Sequence, residues 1–374
     1  MKILIDAHML GEGETGNESY VANLLRGFRQ GDTRDEFRVA AAHPAALAPI
    51  VGTDPRFSVF PVSRSPMRRL AWDLPALIRR GKTDVLHVTY AGPPAAACPM
   101  VVSVHDVSFR RHPEWFSPRD RLVLTCGVGA TLRRARRVVA ISEFARREIC
   151  ACFAVPAERM AVTYLAAGAE FRPPSADGGE ARLDVLQKHG VRPPFLLAVG
   201  NLQPRKNLPR LIEAFGMVKR QAGVPHQLVI VGKARWRGSS VFAAARRLGL
   251  EREVVFPGYV AAEELPAFYG AAEMFVYPSL YEGFGLPVLE AMACGTPVVT
   301  SNTSSIPEVA GAAAILVDPL STDDLAKGLA SVLRDGARRA ELRRLGLARA
   351  GLFSWRATAA ATRAVYQSAI ASPV

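Results

Sequence analysis

The sequence has few cysteines and no long apolar runs. Its 374 residues include five cysteines, an odd and scattered set, in which only Cys150 and Cys152 lie close together, without a second pair or a neighbouring histidine. This pattern fits neither a disulfide framework nor a zinc site. No apolar run reaches the roughly 18 residues of a membrane-spanning helix. The N-terminus has Asp6 after only three apolar residues, too few for a secretory signal. We therefore expect a cytoplasmic protein with free thiols.

Acidic residues are scarce relative to basic ones. The 34 Asp and Glu residues face 47 Lys and Arg residues, which gives a net charge of +13 at pH 7. Residues 64–82 carry six basic residues against one acid, and residues 110–147 carry ten arginines against three acids. These segments suit contact with anionic lipid headgroups or phosphorylated acceptors, or they are simply solvated surface. Aromatic residues are not interleaved with the arginines as in a nucleic-acid-binding module, so we expect no nucleic acid partner.

Short apolar strands alternate with amphipathic helices in two successive series. A chain of 374 residues is more than twice a typical domain of about 150 residues, which also favours two domains. Buried strands that end in polar turns and alternate with helices are typical of doubly wound parallel sheets. The strands predicted for the first series are 2–5, 37–40, 85–88, 100–104 and 138–141, and those for the second are 195–200, 228–232, 254–256, 274–277 and 297–300.

The segment Pro173–Gly179 continues neither periodicity and is the predicted linker. It separates an N-terminal Rossmann-like domain at 1–172 from a C-terminal one at 173–355. A last helix, at about 356–374, could pack on either domain, including back on the first. We expect an α/β fold of two Rossmann-like, doubly wound parallel-sheet domains that face each other across a cleft, with ligands beyond the carboxyl ends of the strands.

A segment of the second half holds the most informative chemical pattern. Gly283 and Gly285 directly precede a predicted helix, and free N–H groups at a helix start, approached through residues without Cβ atoms, bind phosphate or sugar hydroxyls. Glu282 stands just before this loop and Glu290 follows eight residues later. Two carboxylates so placed can accept hydrogen bonds from hydroxyls at two ends of one ligand. Their spacing alone would equally suit a buried ion pair at Glu290 and an exposed acid at Glu282.

Two adjacent cations, Arg205 and Lys206, follow the predicted strand 195–200 and precede a helix predicted over 208–220. At that edge of a sheet they can neutralise a diphosphate leaving group. An Arg-Lys pair in a loop is also common on solvated surface. The pair alone therefore does not indicate a binding site, and its interpretation depends on the other motifs.

A glycine-rich turn at 11–18 connects the first predicted strand to the first helix. Gly11, Gly13 and Gly16 match the G-x-G-x-x-G spacing of dinucleotide-binding turns. However, Glu12 and Glu14 place negative charge where the phosphates would lie. The turn therefore indicates a flexible loop that reaches phosphates more than it indicates NAD binding.

His105 and Asp106 directly follow the predicted strand 100–104. His105 could donate a hydrogen bond to a sugar hydroxyl, and Asp106 could orient the imidazole or serve as a base. A purely structural His-Asp pair would have the same sequence, so both interpretations stay open at this point.

Three tracts, at 105–119, 195–215 and 282–290, together resemble the family 4 retaining glycosyltransferases of the GT-B fold, and most closely their bacterial mannosyltransferase-like members. The resemblance covers nearly the whole chain, and its most specific element is the E-x7-E pattern from Glu282 to Glu290. It implies transfer of a hexose, with mannose from GDP-mannose as the best assignment, to a saccharide or lipid-linked saccharide in cell-envelope polysaccharide biosynthesis. It implies no cofactor beyond the GDP- or UDP-linked donor sugar.

The resemblance also implies roles for individual residues. Glu290 would bind the ribose hydroxyls, while Glu282 and the backbone of 283–286 would hold the donor sugar and diphosphate. Arg205 and Lys206 would stabilise the leaving diphosphate, and the base would rest against the turn at 256–260. The implied catalytic residues are His105, Asp106, Glu282 and Lys206, and the implied donor-binding residues are Gly16, Arg205, Lys206, Tyr259, Val260, Glu282, Gly283, Phe284, Gly285, Leu286 and Glu290.

Two positions depart from the family pattern. Many relatives have an arginine where this chain has Asn201, so Arg205 must carry more of the phosphate charge. The first loop reads Thr-Gly-Asn-Glu at 15–18 instead of the commoner Gly-Ile-Gly, which leaves the acceptor open.

The expected mechanism is metal-independent front-face attack. Asp323 and Asp324 begin a predicted helix and are interpreted as caps, and no other acid pair resembles a metal-binding DxD. The rival mechanism is a covalent glycosyl-enzyme through Glu282. Retaining hydrolases of that kind place a second carboxylate about 5–5.5 Å away, and nothing in the sequence places one there.

Three other functions stay open on the sequence. A UDP-glucose- or UDP-N-acetylhexosamine-dependent transferase would share the motifs. A non-catalytic nucleotide-sugar-binding scaffold would have lost at least one of His105, Lys206, Glu282 and Glu290, whereas all four are present. A nicotinamide oxidoreductase is the most distant alternative. The basic segments add a possible peripheral contact with the inner face of an anionic membrane.

Overall fold

The computed structural model describes residues 1–13, 15–174, 179–233 and 239–371. The chain forms two compact units, of which the first comprises Met1–Leu165 and Ser354–Val374 and the second comprises Ala166–Phe353. Both divisions fall a few residues before the predicted ones at 172/173 and 355/356. Residues 175–178 of the predicted linker lie outside the described residues.

The first unit is built on one parallel sheet. Its strands are β1 (Lys2–Asp6), β2 (Glu36–Ala41), β3 (Phe57–Pro61), β4 (Val85–Thr89), β5 (Met100–Val104), β6 (Arg137–Ala140) and β7 (Met160–Val162). They are arranged in the order β3-β2-β1-β4-β5-β6-β7. β4 and β5 are buried along their whole length, which explains their continuous apolar sequences. The sequence did not predict β3 and β7, which are edge strands with partly exposed side chains and a weaker apolar pattern.

The second unit repeats this plan with six parallel strands. They are β8 (Phe195–Val199), β9 (Gln227–Val231), β10 (Val254–Gly258), β11 (Met274–Tyr277), β12 (Val298–Ser301) and β13 (Ile315–Val317). Their order is β10-β9-β8-β11-β12-β13. In each unit the strand order reverses beside the first strand, between β1 and β4 and between β8 and β11. In doubly wound sheets the carboxyl ends at such a reversal are where ligands bind.

Helices connect the strands in both units. Those of the first unit are α1 (Thr15–Gln30), α2 (Ala48–Val51), α3 (Pro66–Arg68), α4 (Leu74–Gly81), α5 (Ser108–Arg111), α6 (Pro118–Arg134) and α7 (Glu143–Phe153). Those of the second are α8 (Gly179–Lys188), α9 (Leu208–Ala222), α10 (Ser239–Arg247), α11 (Leu265–Ala271), α12 (Leu286–Ala293), α13 (Ile306–Ala310), α14 (Thr322–Arg334) and α15 (Gly336–Ala350). The last helix is α16 (Trp355–Ala371).

Two helices begin at capping serines. Ser142 caps α7, where its Oγ accepts a hydrogen bond from the backbone N–H of Ala145 at 2.9 Å. Ser321 caps α14 by accepting from the N–H of Asp324 at 3.1 Å. The acid pair at 323–324 therefore begins a helix, as its sequence position indicated.

The last helix packs on the first unit, which the sequence alone left open. α16 lies along α1, and a Cβ atom added at Gly27 would stand 2.3 Å from the carbonyl oxygen of Trp355. The two helices can approach this closely only because residue 27 has no side chain. Arg363 of α16 forms an ion pair with Asp35, whose carboxylate also accepts from the N-terminal ammonium at 2.9 Å. No helix in the described part of the chain is long and apolar enough to cross a bilayer.

Candidate active site

The second unit places two predicted motifs at the reversal of its strand order. The loop after β8 carries Arg205 and Lys206, and the loop after the neighbouring strand β11 carries Glu282. A backbone hydrogen bond from the N–H of Leu280 to the carbonyl of Arg205, at 2.8 Å, joins the two loops. Residues that are 76 positions apart in the sequence are therefore neighbours.

Arg205, Glu282 and Lys206 form a buried ion cluster. Glu282 is 6% exposed. One carboxylate oxygen, Oε2, accepts from Arg205 Nη1 at 2.9 Å, and the other, Oε1, accepts from Lys206 Nζ at 2.7 Å. Lys206 also donates to the Tyr277 hydroxyl, and its Nζ lies 4.5 Å from the centre of that ring. The structure thus brings together three of the predicted site residues, with two cations around one carboxylate.

The charges of this cluster decide the protonation of Glu282. Burial alone would raise the pKa of the carboxyl, but the charges of Arg205 and Lys206 outweigh burial and lower the pKa to about 2. The carboxylate therefore stays ionised at ordinary pH, with both oxygens engaged. Such a group holds cations in place and is poorly suited to accept a proton.

Two serines hydrogen-bond to the backbone of Glu282, where the glycine loop that leads to α12 begins. The N–H of Glu282 donates to Ser304 Oγ at 3.2 Å, and Ser305 Oγ donates to the Glu282 carbonyl at 2.9 Å. Gly285 has a φ of +102°, and a Cβ there would lie 2.5 Å from Ile306 Cδ1, so only glycine fits. Gly285 is the N-cap of α12, and no side chain caps this helix start. The predicted residues 283–286 therefore lie where α12 presents its first N–H groups.

Glu290 lies on α12 and contacts Tyr269, outside the ion cluster. The Tyr269 hydroxyl donates to Glu290 Oε2 at 2.8 Å. Burial raises the pKa of Glu290 to about 7; the hydrogen bond from Tyr269 opposes this rise and the charge of Glu170 adds to it. The two acids of the E-x7-E pattern therefore stand in opposite electrostatic environments.

A row of aromatic rings connects these two environments. The Tyr269 and Phe275 ring centres are 5.3 Å apart, and those of Phe275 and Tyr277 are 5.7 Å apart. The hydroxyl at one end of the row binds Glu290, and the hydroxyl at the other end binds Lys206. The row therefore connects the hydrogen-bond partner of Glu290 with that of Lys206 inside the second unit.

Glycines end three adjacent strands of the second sheet. Gly200 follows β8, Gly232 follows β9 and Gly258 ends β10. A Cβ at Gly232 would stand 2.1 Å from the carbonyl oxygen of Gly200, whereas one at Gly258 would meet open space. We call these three residues the glycine shelf. Beside it lie the predicted base-contacting residues: Tyr259 is half exposed with its ring 4.4 Å from Lys233 Nζ, and Val260 is buried.

In the first unit, His105 follows β5 and is buried. Its Nδ1 lies 2.8 Å from Asn17 Oδ1, and its Nε2 has no hydrogen-bond partner within the described residues. Its ring meets those of Tyr20 and Tyr90 edge-on, with centres 4.5 and 5.5 Å away. Burial lowers the pKa of His105 to about 4, against the opposing charge of Asp106. His105 is therefore neutral at pH 7.

The two other predicted residues of the first unit have different surroundings. Asp106 does not orient the His105 ring by a hydrogen bond, because its Oδ1 accepts from the backbone N–H and the hydroxyl of Ser108, at 2.9 and 2.6 Å. Both bonds go to Ser108, the first residue of the short helix α5. Gly16 lies in the first turn of α1, and a Cβ there would meet nothing within 4 Å. The roles predicted for Asp106 and Gly16 remain predictions.

Sequence reasoning assigned no role to several residues that shape these sites. Tyr277 is the last residue of the apolar strand β11, and this position was the available signal for it. Tyr269 on α11 gives no local signal, since its partner lies 21 residues away. The unusual sequence of the first loop did not indicate that Asn17 is a partner of His105. Ser304 has a φ of +58°, which cannot be predicted from the sequence.

The raised pKa of Glu290 predicts a pH dependence of stability. Unfolding returns the carboxyl to its ordinary pKa of 4.5. The stabilisation of the protonated form is fully present below that pH and is lost as the pH rises through about 7. Because the group is partly exposed, we expect the free energy of unfolding to fall by roughly 2 kcal/mol between about pH 5 and pH 8 from this residue.

The measurement is urea denaturation of the wild-type chain and of Glu290→Gln at both pH values. The glutamine keeps an acceptor for Tyr269 and does not titrate, so the variant should show a smaller fall in stability. All other titrating groups are common to the two proteins. An identical fall in both would contradict the assigned environment.

The comparisons with known proteins agree with this architecture. A sequence profile of "Glycosyltransferase Family 4" matches residues 15–167, and one of "Glycosyl transferases group 1" matches residues 184–347. The chain is 35% identical over 294 residues to the O-antigen chain mannosyltransferase B of Escherichia coli, covering 77% of this chain and 74% of that protein. It is 32% identical over 233 residues to the serotype-specific mannosyltransferase WbdA of Escherichia coli, covering 62% of this chain and 28% of the relative.

The fold is shared with solved structures at low sequence identity. The HepE protein of Anabaena, solved in complex with UDP and glucose, superposes with a TM-score of 0.76 at 22% identity, covering 98% of this chain and all of that one. Two parallel-sheet α/β units, the match of both profiles and the mannosyltransferase relatives lead to one conclusion. This chain belongs to the family 4 glycosyltransferases of the GT-B fold and resembles their bacterial mannosyltransferases.

Proposed function

We propose that this glycosyltransferase transfers mannose from GDP-mannose, with retention at the anomeric carbon, to a saccharide or lipid-linked saccharide. The observation that carries the proposal is the Arg205–Glu282–Lys206 cluster at the strand reversal of the second unit, between the glycine shelf and the start of α12. The mannosyl assignment draws on the two Escherichia coli relatives, both described as mannosyltransferases.

The second unit has the features that a nucleotide-sugar donor requires. The glycine shelf lets a planar base approach backbone beside Tyr259 and Val260 without a side chain in the way. Glu290, on α12, would accept hydrogen bonds from the ribose hydroxyls. The N–H groups at the start of α12 and the two cations would bind the diphosphate. The donor sugar would lie against Glu282 and the loop 283–286.

The charge of the cluster fits the chemistry of the leaving group. Two cations and one carboxylate give the cluster a net charge of +1, and this positive charge is preorganised because Glu282 fixes both side chains. Negative charge develops on the diphosphate as the glycosidic bond breaks, so fixed cations stabilise the transition state more than the ground state. Arg205 and Lys206 would thus supply this stabilisation without a metal ion.

The environment of Glu282 favours front-face attack over a covalent intermediate. A carboxylate with a pKa of about 2 and both oxygens in ion pairs is a weak nucleophile. In the front-face mechanism the acceptor hydroxyl oxygen bonds to the anomeric carbon as the bond to the diphosphate oxygen breaks. The hydroxyl proton passes to that departing oxygen. Neutral His105 would hydrogen-bond the donor sugar near the reacting carbon.

Donor identity is tested by thermal shift. A bound donor raises the melting temperature, and at equal concentration a tighter-binding donor raises it more. We expect GDP-mannose and GDP to raise it by several degrees at concentrations where UDP-glucose and UDP-N-acetylglucosamine have little effect. Glu290→Ala is the control, because it should lose the shift. A larger shift with the uridine donors would replace the GDP-mannose assignment with the alternative transferase.

Two variants of the second unit separate binding from turnover. Glu290→Ala should weaken nucleotide affinity by about tenfold or more, because ribose hydroxyls lose a charged acceptor. Lys206→Ala should lower kcat by roughly 100-fold with a smaller effect on affinity, because it acts on the leaving group. Steady-state kinetics and calorimetric titration with GDP would measure both.

Glu341→Ala is the matched control for these variants, since this exposed acid lies on α15 and pairs with Arg338. It should behave as wild type. Equal losses below about 1 kcal/mol for Glu290→Ala and Lys206→Ala, after conversion of the rate ratios, would contradict the assigned roles.

We also propose that the first unit contacts an anionic membrane through the segment 64–80. Met67 and Trp72 are 82% and 71% exposed there, on a helical segment in which a π turn at Arg69–Asp73 joins α3 to α4. Exposed arginines at 64, 68, 79 and 80 belong to the same segment. A segment that exposes both large apolar side chains and arginines suits binding at the level of lipid headgroups, where a lipid-linked acceptor would be found.

Vesicle co-sedimentation tests this contact. We expect binding to phosphatidylglycerol-containing vesicles that weakens with added salt, and a loss of about tenfold in Trp72→Ala. Leu352→Ala is the control, because Leu352 is equally exposed, at 72%, in the second unit. Salt-independent binding, or equal binding to neutral phosphatidylcholine vesicles, would contradict the proposal.

A further inference from the structure

A chain of buried polar side chains crosses the first unit from its last helix to the neighbourhood of His105. The Tyr366 hydroxyl on α16 lies 2.6 Å from His87 Nδ1. The opposite ring nitrogen of His87, Nε2, lies 2.8 Å from Ser103 Oγ. Ser103 Oγ in turn lies 2.8 Å from the Tyr20 hydroxyl. All four side chains are essentially inaccessible to solvent. We call Tyr366, His87, Ser103 and Tyr20 the relay.

The relay meets His105 through Tyr20. Ser103 is in β5, and His105 is the residue directly after that strand. Tyr20 bridges them: its hydroxyl binds Ser103 and its ring lies edge-on against His105, with centres 4.5 Å apart. One rigid side chain is therefore fixed at one end by the relay and packs at the other end on the imidazole.

His105 depends on such packing for its orientation. A single hydrogen bond, to Asn17, holds its Nδ1, and Nε2 has no hydrogen-bond partner among the described residues. Asn17 itself lies in the first turn of α1, next to the glycine-rich turn. The rings of Tyr20 and Tyr90 supply the remaining restraint. A shift of the Tyr20 ring would consequently move the imidazole.

The donors and acceptors of His87 make the hydrogen bonds of the relay depend on one another. A neutral imidazole has one N–H and one lone pair, so the bonds at Ser103 and Tyr366 must run in the same direction through His87. Burial lowers the pKa of His87 to about 3, which keeps the ring neutral and this constraint in force. Removing one hydroxyl therefore leaves a buried nitrogen or oxygen unpaired and disturbs the neighbouring bonds.

We propose that Tyr366, His87, Ser103 and Tyr20 are positioning residues that hold the His105 imidazole in the orientation required for transfer. α16 thereby contributes to the reaction through Tyr366, although none of its side chains is placed at the reacting atoms. This inference rests on the proposed role of His105 beside the donor sugar. It assigns a function to a fully buried set of hydrogen bonds that the transfer mechanism itself does not use.

The test compares turnover with stability in hydroxyl-removing variants. Tyr366→Phe and Ser103→Ala each break the relay with minimal change of volume. We expect kcat to fall about tenfold in each, with the donor KM within about twofold of wild type, because a misplaced imidazole affects the transition state more than donor binding. The double variant should lose no more than the worse single variant, since both break the same chain.

Controls separate positioning from general destabilisation. Thr362→Val removes another fully buried hydroxyl of α16, which bonds only within its own helix, to the carbonyl of Thr358. It should lower the melting temperature without lowering kcat at 25 °C. Ser103→Thr restores the hydroxyl and should recover most of the turnover. The His105 imidazole proton shifts in NMR spectra should change in Tyr366→Phe and not in Thr362→Val.

Two outcomes would overturn the inference, and they differ in meaning. If His105→Ala abolishes transfer while Tyr366→Phe and Ser103→Ala keep wild-type kcat, the relay is structural only and the role of His105 stands. If His105→Ala keeps wild-type turnover, the proposed role of His105 is wrong. The positioning role of the relay is then wrong as well.

Discussion

The buried carboxylate of Glu282 is the constraint around which the second unit is organised. An isolated charge in such a place would be strongly destabilising, so it requires both Arg205 and Lys206. These ion pairs tie the loop after β8 to the loop after β11 and define the position of each. Even Gly200 belongs to this arrangement, because a Cβ there would stand 3.1 Å from Lys206 Cε. Glycine at 200 leaves the space in which the lysine reaches the carboxylate.

The two acids of the E-x7-E pattern illustrate how environment gives the same side chain different properties. Glu282 is surrounded by cations, and its pKa is about 2, whereas Glu290 has a tyrosine hydroxyl as its hydrogen-bond partner and a pKa of about 7. The first is a permanent charge and the second changes charge near neutrality. A ligand that donates hydrogen bonds to Glu290 would favour its ionised form. Binding at this end of the site would therefore be coupled to release of a proton.

Much of the fold could be predicted from the sequence, since central parallel strands have continuous apolar sequences and polar ends. Edge strands such as β3 and β7 lack that pattern, and the sequence did not predict them.

The cation pair and the E-x7-E acids were identifiable because each follows a recognisable strand or precedes a helix. Their partners Tyr269 and Tyr277 were not identifiable, and neither was Asn17, the partner of His105, because these contacts join distant segments. Asp106 was predicted to orient His105 or to serve as a base; in the structure its Oδ1 accepts two hydrogen bonds from Ser108 instead of binding His105.

The position of α16 has a consequence for biosynthesis. The first unit needs this helix for its core, yet the ribosome makes residues 354–371 only after the entire second unit. Until the last helix is made, the side of α1 that packs on α16 stays uncovered, and Tyr20 and His87 lack their final surroundings. The second unit, in contrast, is a continuous stretch that can fold while its neighbour is unfinished. The second unit can therefore complete its fold before the first unit receives its last helix.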